Sequence, residues 1–188
     1  KHTAQQFFDA FELARKCGFD NINTDLIAGL PTDTPESFKN SLDSIVRLNA
    51  ECITVHTLCM KRASRLTTEG VTLDLQQARD AREMLAYTQN ILGQNEYITY
   101  YMYRQSRMVG NLENVGWSKK DFESLYNVYV MDETHTILAC GSGGVTKLKR
   151  NNPDYLERIF NFKYPYEYID RFDELIQRKS GIMQFYGQ

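Results

Sequence analysis

The sequence predicts an α/β fold with parallel strands at its N-terminal end, followed by a region of mixed α+β character. Three observations carry that expectation. Over the first sixty residues helical and strand-like patterns alternate, which is the signature of repeated βα units joined by crossovers. Residues 21–28 hold Ile22, Leu26 and Ile27 without Pro or Gly, so they read as a largely buried strand of ordinary length. After Met60 the alternation stops, and the second half is rich in Tyr, Phe and short glycine-containing turns.

Residues 3–17 form the first helix. Thr3 and Gln6 are spaced as a capping box, Phe7, Phe8, Phe11 and Ala14 recur at helical spacing, and Gly18 stops the element. The strand at 21–28 follows, with one acid, Asp25, inside it. A carboxylate there is either bonded to a neighbouring group or faces a cavity, because burying it unpaired is costly. Gly29-Leu30-Pro31 ends the strand. Thr34 is a good N-cap, Pro35 suits the first helical position and Glu36 favours the positive end of the helix dipole. Phe38, Leu42, Ile45 and Val46 give the new helix its apolar face. Cys52 to Leu58 is a second strand, rich in β-branched residues. In parallel α/β sheets ligands bind where such strands end and turns begin.

Lys61-Arg62-Ala63-Ser64-Arg65 follows directly. A basic run of this kind is either a solvated face or, at the mouth of a sheet or barrel, an anion-capturing one. A long helix runs from Asp74 to Leu92, started by Asp74 and Gln77. Residues 96–105 read as a strand with four tyrosines, Tyr101 and Tyr103 sharing a face; such a strand serves as core or as a ligand shelf. Residues 107–117 suit a loop. Residues 126–131 and 136–140 read as antiparallel strands joined by Asp132-Glu133-Thr134-His135. Gly141-Ser142-Gly143-Gly144 follows, a run whose backbone could approach a ligand closely. Asn152-Pro153-Asp154 starts a short helix. Pro165 starts another, with Tyr168, Ile169, Phe172, Leu175 and Ile176 on its buried side.

Composition narrows the function classes. The 188 residues are 42% hydrophobic and 24% charged, with a formal net charge of −2. That balance gives no support for nucleic-acid or anionic-membrane partners. No apolar run is long enough to span a bilayer, and no signal peptide is visible. The four cysteines, Cys17, Cys52, Cys59 and Cys140, include no C-x-x-C; four could in principle form disulfides, but three sit in apolar surroundings and they read as buried free thiols of a cytoplasmic protein. The three histidines are scattered. No metal-ligating set and no catalytic triad order is present.

Several segments, taken in order, resemble the oxygen-independent coproporphyrinogen III oxidase (coproporphyrinogen dehydrogenase) family of radical S-adenosylmethionine (SAM) enzymes. They are Ala14-Arg15-Lys16-Cys17-Gly18-Phe19, Asp25 to Pro31 with Thr34-Pro35-Glu36-Ser37-Phe38, and Ile53-Thr54-Val55-His56. The resemblance continues through Lys61 to Leu66, Tyr101-Met102-Tyr103-Arg104-Gln105, Gly110 to Gly116 and the Gly-Ser-Gly-Gly-Val-Thr-Lys run. It implies the C-terminal half of a partial (β/α)6 barrel over residues 1–70 and a C-terminal α+β region over 71–188. It implies an activity in the longer protein: oxidative decarboxylation of coproporphyrinogen III propionates to vinyl groups, using SAM, a [4Fe–4S] cluster and an electron-donor protein. By position, Asp25 matches an acid that contacts SAM, and Cys59 and Val145 match backbone contacts. A carboxylate suits ribose hydroxyls because it accepts two donors. Arg62, Arg65, Arg104 and Arg107 are candidates for tetrapyrrole carboxylates, and Tyr101, Tyr103 and Trp117 for its ring face. The family's C-x-x-x-C-x-x-C cluster motif is not in this sequence, so the chain alone is expected to hold no cluster and to be inactive. The family also includes non-catalytic carriers, so a haem- or porphyrin-binding role is the alternative.

Overall fold

The computed structural model describes residues 2–60, 74–106 and 108–187. They form two compact units, residues 1–124 and 125–188.

The first unit is built on a four-stranded mixed sheet. Helix α1 (Ala4–Lys16) begins at Thr3, whose side chain accepts from the Gln6 amide while the Gln6 side chain accepts from the Thr3 amide. Strand β1 (Asn23–Ala28) pairs in parallel with β2 (Cys52–Thr57), and α2 (Pro35–Leu48) joins them. The cap of α2 is Thr34 with Pro at the first turn, and Asn49 ends it in the left-handed conformation at φ 60°. Helix α3 (Leu75–Gln94) opens on a second capping box, Asp74 with Gln77. The sheet is completed by β3 (Ile98–Tyr103) and β4 (Asn114–Ser118), giving the order β1-β2-β4-β3 with both later pairings antiparallel. Phe38, Leu42, Ile45, Met84 and Leu92 from the helices pack on Ala28, Ile53, Val55 and Trp117 of the sheet. Arg15 of α1 grips both oxygens of the Glu51 carboxylate at 2.6 and 2.7 Å, and Glu51 also accepts from the Ile22 amide. That pairing ties the end of α1 to the start of β2.

Two expectations change here. Residues 114–118 are a strand rather than part of a loop, because Val115 and Trp117 alternate with Asn114, Gly116 and Ser118 and so present one apolar face. The division expected at 70/71 does not coincide with the compact units, since β3 and β4, from beyond residue 70, hydrogen-bond into the same sheet as β1 and β2.

The second unit contains α4 (Leu125–Asp132), a hairpin of β5 (Val145–Asn151) and β6 (Asp154–Phe160), and three short helices, α5 (Pro165–Asp170), α6 (Phe172–Lys179) and α7 (Gly181–Phe185). The hairpin expected from 126–131 and 136–140 is not formed. Residues 126–131 lie in α4, and Ile137 instead bridges Lys147 of β5. Short apolar runs do not distinguish helix from strand by periodicity. Asn152-Pro153-Asp154, expected to start a helix, lies at the connection between β5 and β6, with a cis peptide before Pro153. The helix after Pro165 breaks at Arg171, so its expected apolar side is divided. Leu175 is buried, whereas Ile169, Phe172 and Ile176 are exposed.

Candidate functional site

Period-two alternation sorts the first unit's sheet into two faces. Thr24, Leu26 and Ala28 of β1 share the helix-covered side with Ile53 and Val55 of β2. The register places Asn23, Asp25 and Ile27 on the opposite face, beside Cys52, Thr54 and His56. Gly116 of β4 pairs with Thr54, and Tyr101 and Tyr103 of β3 pair with Gly116 and Asn114, so these residues join the same face.

Asp25 is not sealed in the core: its side chain is 58% exposed. One carboxylate oxygen accepts from the Asn23 amide at 2.7 Å, and the other lies 3.7 Å from His56 Nε2. The His56 imidazole, helped by Asn23 and Thr54 and opposed by partial burial, holds the Asp25 carboxyl below its ordinary range. Thr54 Oγ1 lies 3.0 Å from Asn23 Oδ1 and 3.3 Å from the Tyr101 hydroxyl. The Tyr101 and Tyr103 rings are nearly parallel, 8° apart in plane, with centroids 6.3 Å apart. Burial raises the titration of both phenols. Gly116 makes room for this arrangement. A Cβ there would come within 1.8 Å of Cε1 of Tyr101, so the ring lies directly over the glycine. Asp25 and Leu26 also line a cleft of about 760 Å³ bounded by Phe7 and Phe8 of α1 and by Ser37, Ser41 and Ile45 of α2.

Of the expected site residues, Asp25, Tyr101 and Tyr103 meet on this face. Cys59 lies just after β2, bridged to Met108, and its thiol donates to the Ser106 carbonyl at 3.3 Å. Arg104 is paired with Glu113. Arg62, Arg65 and Arg107 lie outside the described residues. Val145 belongs to the second unit. There the Asn161 amide donates to the Gly144 carbonyl, so 144 and 161 are the bonded pair and the backbone groups of Val145 turn away from β6.

Two readings are corrected. Trp117 cannot offer a ring face to a ligand on the open side. Its register with Ile53 points it among the core side chains, where it is 8% exposed. The glycine run is not an open cradle, because Gly141, Gly143 and Gly144 donate their amides to Tyr168, the Phe162 carbonyl and the Gly141 carbonyl. A Cβ on Gly144 would meet the Cys140 carbonyl at 3.0 Å and Asn161 at 3.1 Å, so packing accounts for that glycine. His56, Asn23 and Thr54 are the members of the site that motif reading passed over. Their signal is polar residues at alternate positions of two adjacent strands, which becomes visible once the register is known.

Among the described residues no group of three His, Cys, Asp or Glu side chains is arranged to hold a metal ion. The four cysteines stand singly in the sequence, so the residues present do not fit a [4Fe–4S] cluster. Asp25 and its face do fit a hydroxyl-bearing ligand. Among the described residues no helix is long and apolar enough to cross a membrane.

The fold is shared with part of a larger solved structure. The structure matches coproporphyrinogen III oxidase HemN from Escherichia coli, described as a radical SAM enzyme, with a TM-score of 0.60 and 18% identity, over 93% of this chain and 39% of that one. In sequence, the chain is 35% identical over 183 residues to the oxygen-independent coproporphyrinogen-III oxidase-like protein HemZ of Bacillus subtilis (strain 168), covering 97% of this chain and 36% of HemZ. It is 29% identical over 160 residues to the heme chaperone HemW of Lactococcus lactis, covering 80% of this chain and 38% of HemW. No protein-family model matches. The chain is thus similar in sequence to an oxygen-independent coproporphyrinogen-III oxidase-like protein and to a heme chaperone, and it spans little more than a third of the length of the relatives it matches.

Proposed function

We propose that this chain is the C-terminal portion of a radical SAM oxidoreductase that converts coproporphyrinogen III propionates to vinyl groups. In this reading it supplies part of the SAM pocket and part of the tetrapyrrole site, while the cluster ligands lie elsewhere in the longer protein. The observation that carries the proposal is the Asp25 carboxylate, ionised and accessible on the open face of the sheet. An ionised acid accepts hydroxyl donors and cannot itself donate, which suits the diol of a ribose. The backbone at Cys59, just beyond the end of β2, would make a further contact to the adenosyl part. SAM, when bound with the cluster, supplies the hydrogen-abstracting radical; this chain's residues bind and orient. The parallel rings of Tyr101 and Tyr103 offer apolar surface to a flat macrocycle. Arg104 sits beside Tyr103, and with Arg62, Arg65 and Arg107 it would answer the macrocycle's carboxylates. Glu113 already engages Arg104, so a substrate carboxylate would have to displace it.

The second reading, a haem-binding carrier without oxidase activity, is favoured by the similarity to HemW, whose name describes a heme chaperone. The longer protein separates the two. Decarboxylation of coproporphyrinogen III that is abolished by Asp25→Ala supports the oxidase. Stoichiometric haem binding without turnover supports the carrier and overturns the oxidase.

A further inference from the structure

The polar groups on the open face are connected in one direction. Asn23 Nδ2 donates to Asp25 Oδ1 at 2.7 Å, which leaves Asn23 Oδ1 as an acceptor. That oxygen lies 3.0 Å from Thr54 Oγ1, and Thr54 has a single hydroxyl proton to give it. Thr54 must then accept from the Tyr101 hydroxyl, 3.3 Å away. The phenol is suited to donate, since burial keeps it protonated above the ordinary tyrosine value. The Tyr101 hydroxyl reaches Thr54 because the ring lies over Gly116, where a Cβ would displace it. The sequence is therefore Tyr101 to Thr54 to Asn23 to Asp25, drawn from three strands, passing over the fourth at Gly116 and ending on a negative charge. The other Asp25 oxygen faces His56 at 3.7 Å, beyond hydrogen-bond length, and keeps accepting capacity.

We infer that Tyr101 is a positioning residue for the Asp25 carboxylate, acting through Thr54 and Asn23, with Gly116 as the seat that holds its ring in place. The chain of donors fixes one carboxylate oxygen and presents the other to a ligand. It rests on the adenosyl reading of Asp25 only for the identity of that ligand. A hydrogen-bond chain that ends on an ion gains from polarisation along its length, so removing a distant donor loosens the final contact. Tyr101→Phe keeps the ring on Gly116 and removes only the donor.

The test follows the Asn23 side-chain amide by NMR in ¹⁵N-labelled protein, with Asn23→Ala used to assign its signals. In the unsubstituted chain those signals move with the titration of Asp25, the nearest acid on a face whose other titratable groups, among the described residues, are Cys52, His56, Tyr101 and Tyr103. Tyr101→Phe and Thr54→Val each speed exchange of the Asn23 amide protons roughly three- to tenfold, the loss of about one hydrogen bond's worth of protection. Thr54→Ser, which keeps the hydroxyl, restores it. An Asn23 signal and exchange rate unchanged in Tyr101→Phe would overturn the inference. Affinity of the longer protein for S-adenosylhomocysteine tests the other reading separately. If the Asn23 signature is lost in Tyr101→Phe but neither that variant nor Asp25→Ala weakens the nucleoside, the positioning role stands and the adenosyl assignment falls.

Discussion

At the residue scale, the charge state of Asp25 depends on its neighbour. The His56 imidazole is the largest influence holding the carboxyl below its ordinary value of 3.8. A carboxyl whose folded value is depressed contributes stability that is fully present above the unfolded value, about 4, and is lost as pH falls through the lower folded one. His56→Gln should therefore move the Asp25 midpoint upward, read by carboxyl ¹³C shifts, and should lower stability at pH 5 more than at pH 2. An unchanged midpoint would mean that His56 does not govern the acid. Sequence reading reached Asp25 because an acid inside a strand is conspicuous. It passed over His56 because a lone histidine has no partner until strand pairing is known. The cysteines show the same limit: all four read as buried thiols, yet only Cys52 is buried, with its thiol raised to about 11 by that burial, whereas Cys17 and Cys140 are exposed.

At the scale of elements, the helices were legible to within two residues wherever a cap was written in the chain. Thr3 with Gln6, Thr34 with Pro35, and Asp74 with Gln77 all cap as their spacing implies, because a capping side chain acts on amides two or three residues away. Strands β1 and β2 were legible from β-branched runs between turn signals. The failures lie where burial rather than local chemistry decides. Residues 126–131 carry Tyr, Val and Met without a period, and β6 sets Leu156 and Ile159 three residues apart among charged residues, a spacing that reads as a surface helix as readily as a hairpin strand. Energetics follow the same division. Leu42 of α2 is fully buried against the sheet, whereas Leu13 of α1 is 60% exposed. Leu42→Ala should cost about 3 kcal/mol in equilibrium unfolding, from lost transfer energy and the cavity left behind. Leu13→Ala should fall within about 0.5 kcal/mol of the parent. Equal costs would mean that the helix-covered face is not the organising core.

At the scale of the whole molecule, the two units bury very different amounts of apolar surface. The first encloses Phe38, Leu42, Ile53, Val55, Met84 and Leu92 between three helices and a sheet whose central strands are paired on both sides. The second, 64 residues long, buries Leu148, Phe162, Leu175 and Phe185, while Tyr155, Phe160, Tyr166, Ile169, Phe172 and Met183 remain exposed. A domain of that size has little margin once chain entropy is met, since a small unit buries a smaller fraction of its surface. Local opening should therefore be cheaper in the second unit. Native-state hydrogen exchange should find the slowest amides in β2 and β4, with β5 and β6 exchanging at least about tenfold faster, a difference of roughly 1.4 kcal/mol in opening free energy. The comparison is sharpest between Val55 and Leu148, both fully buried and both in mid-strand, so neither exposure nor fraying separates them. Equal protection at those two positions would show that the second unit draws its stability from the same cooperative transition as the first. Faster exchange at Leu148 would place the Gly141–Val145 segment on the weaker body.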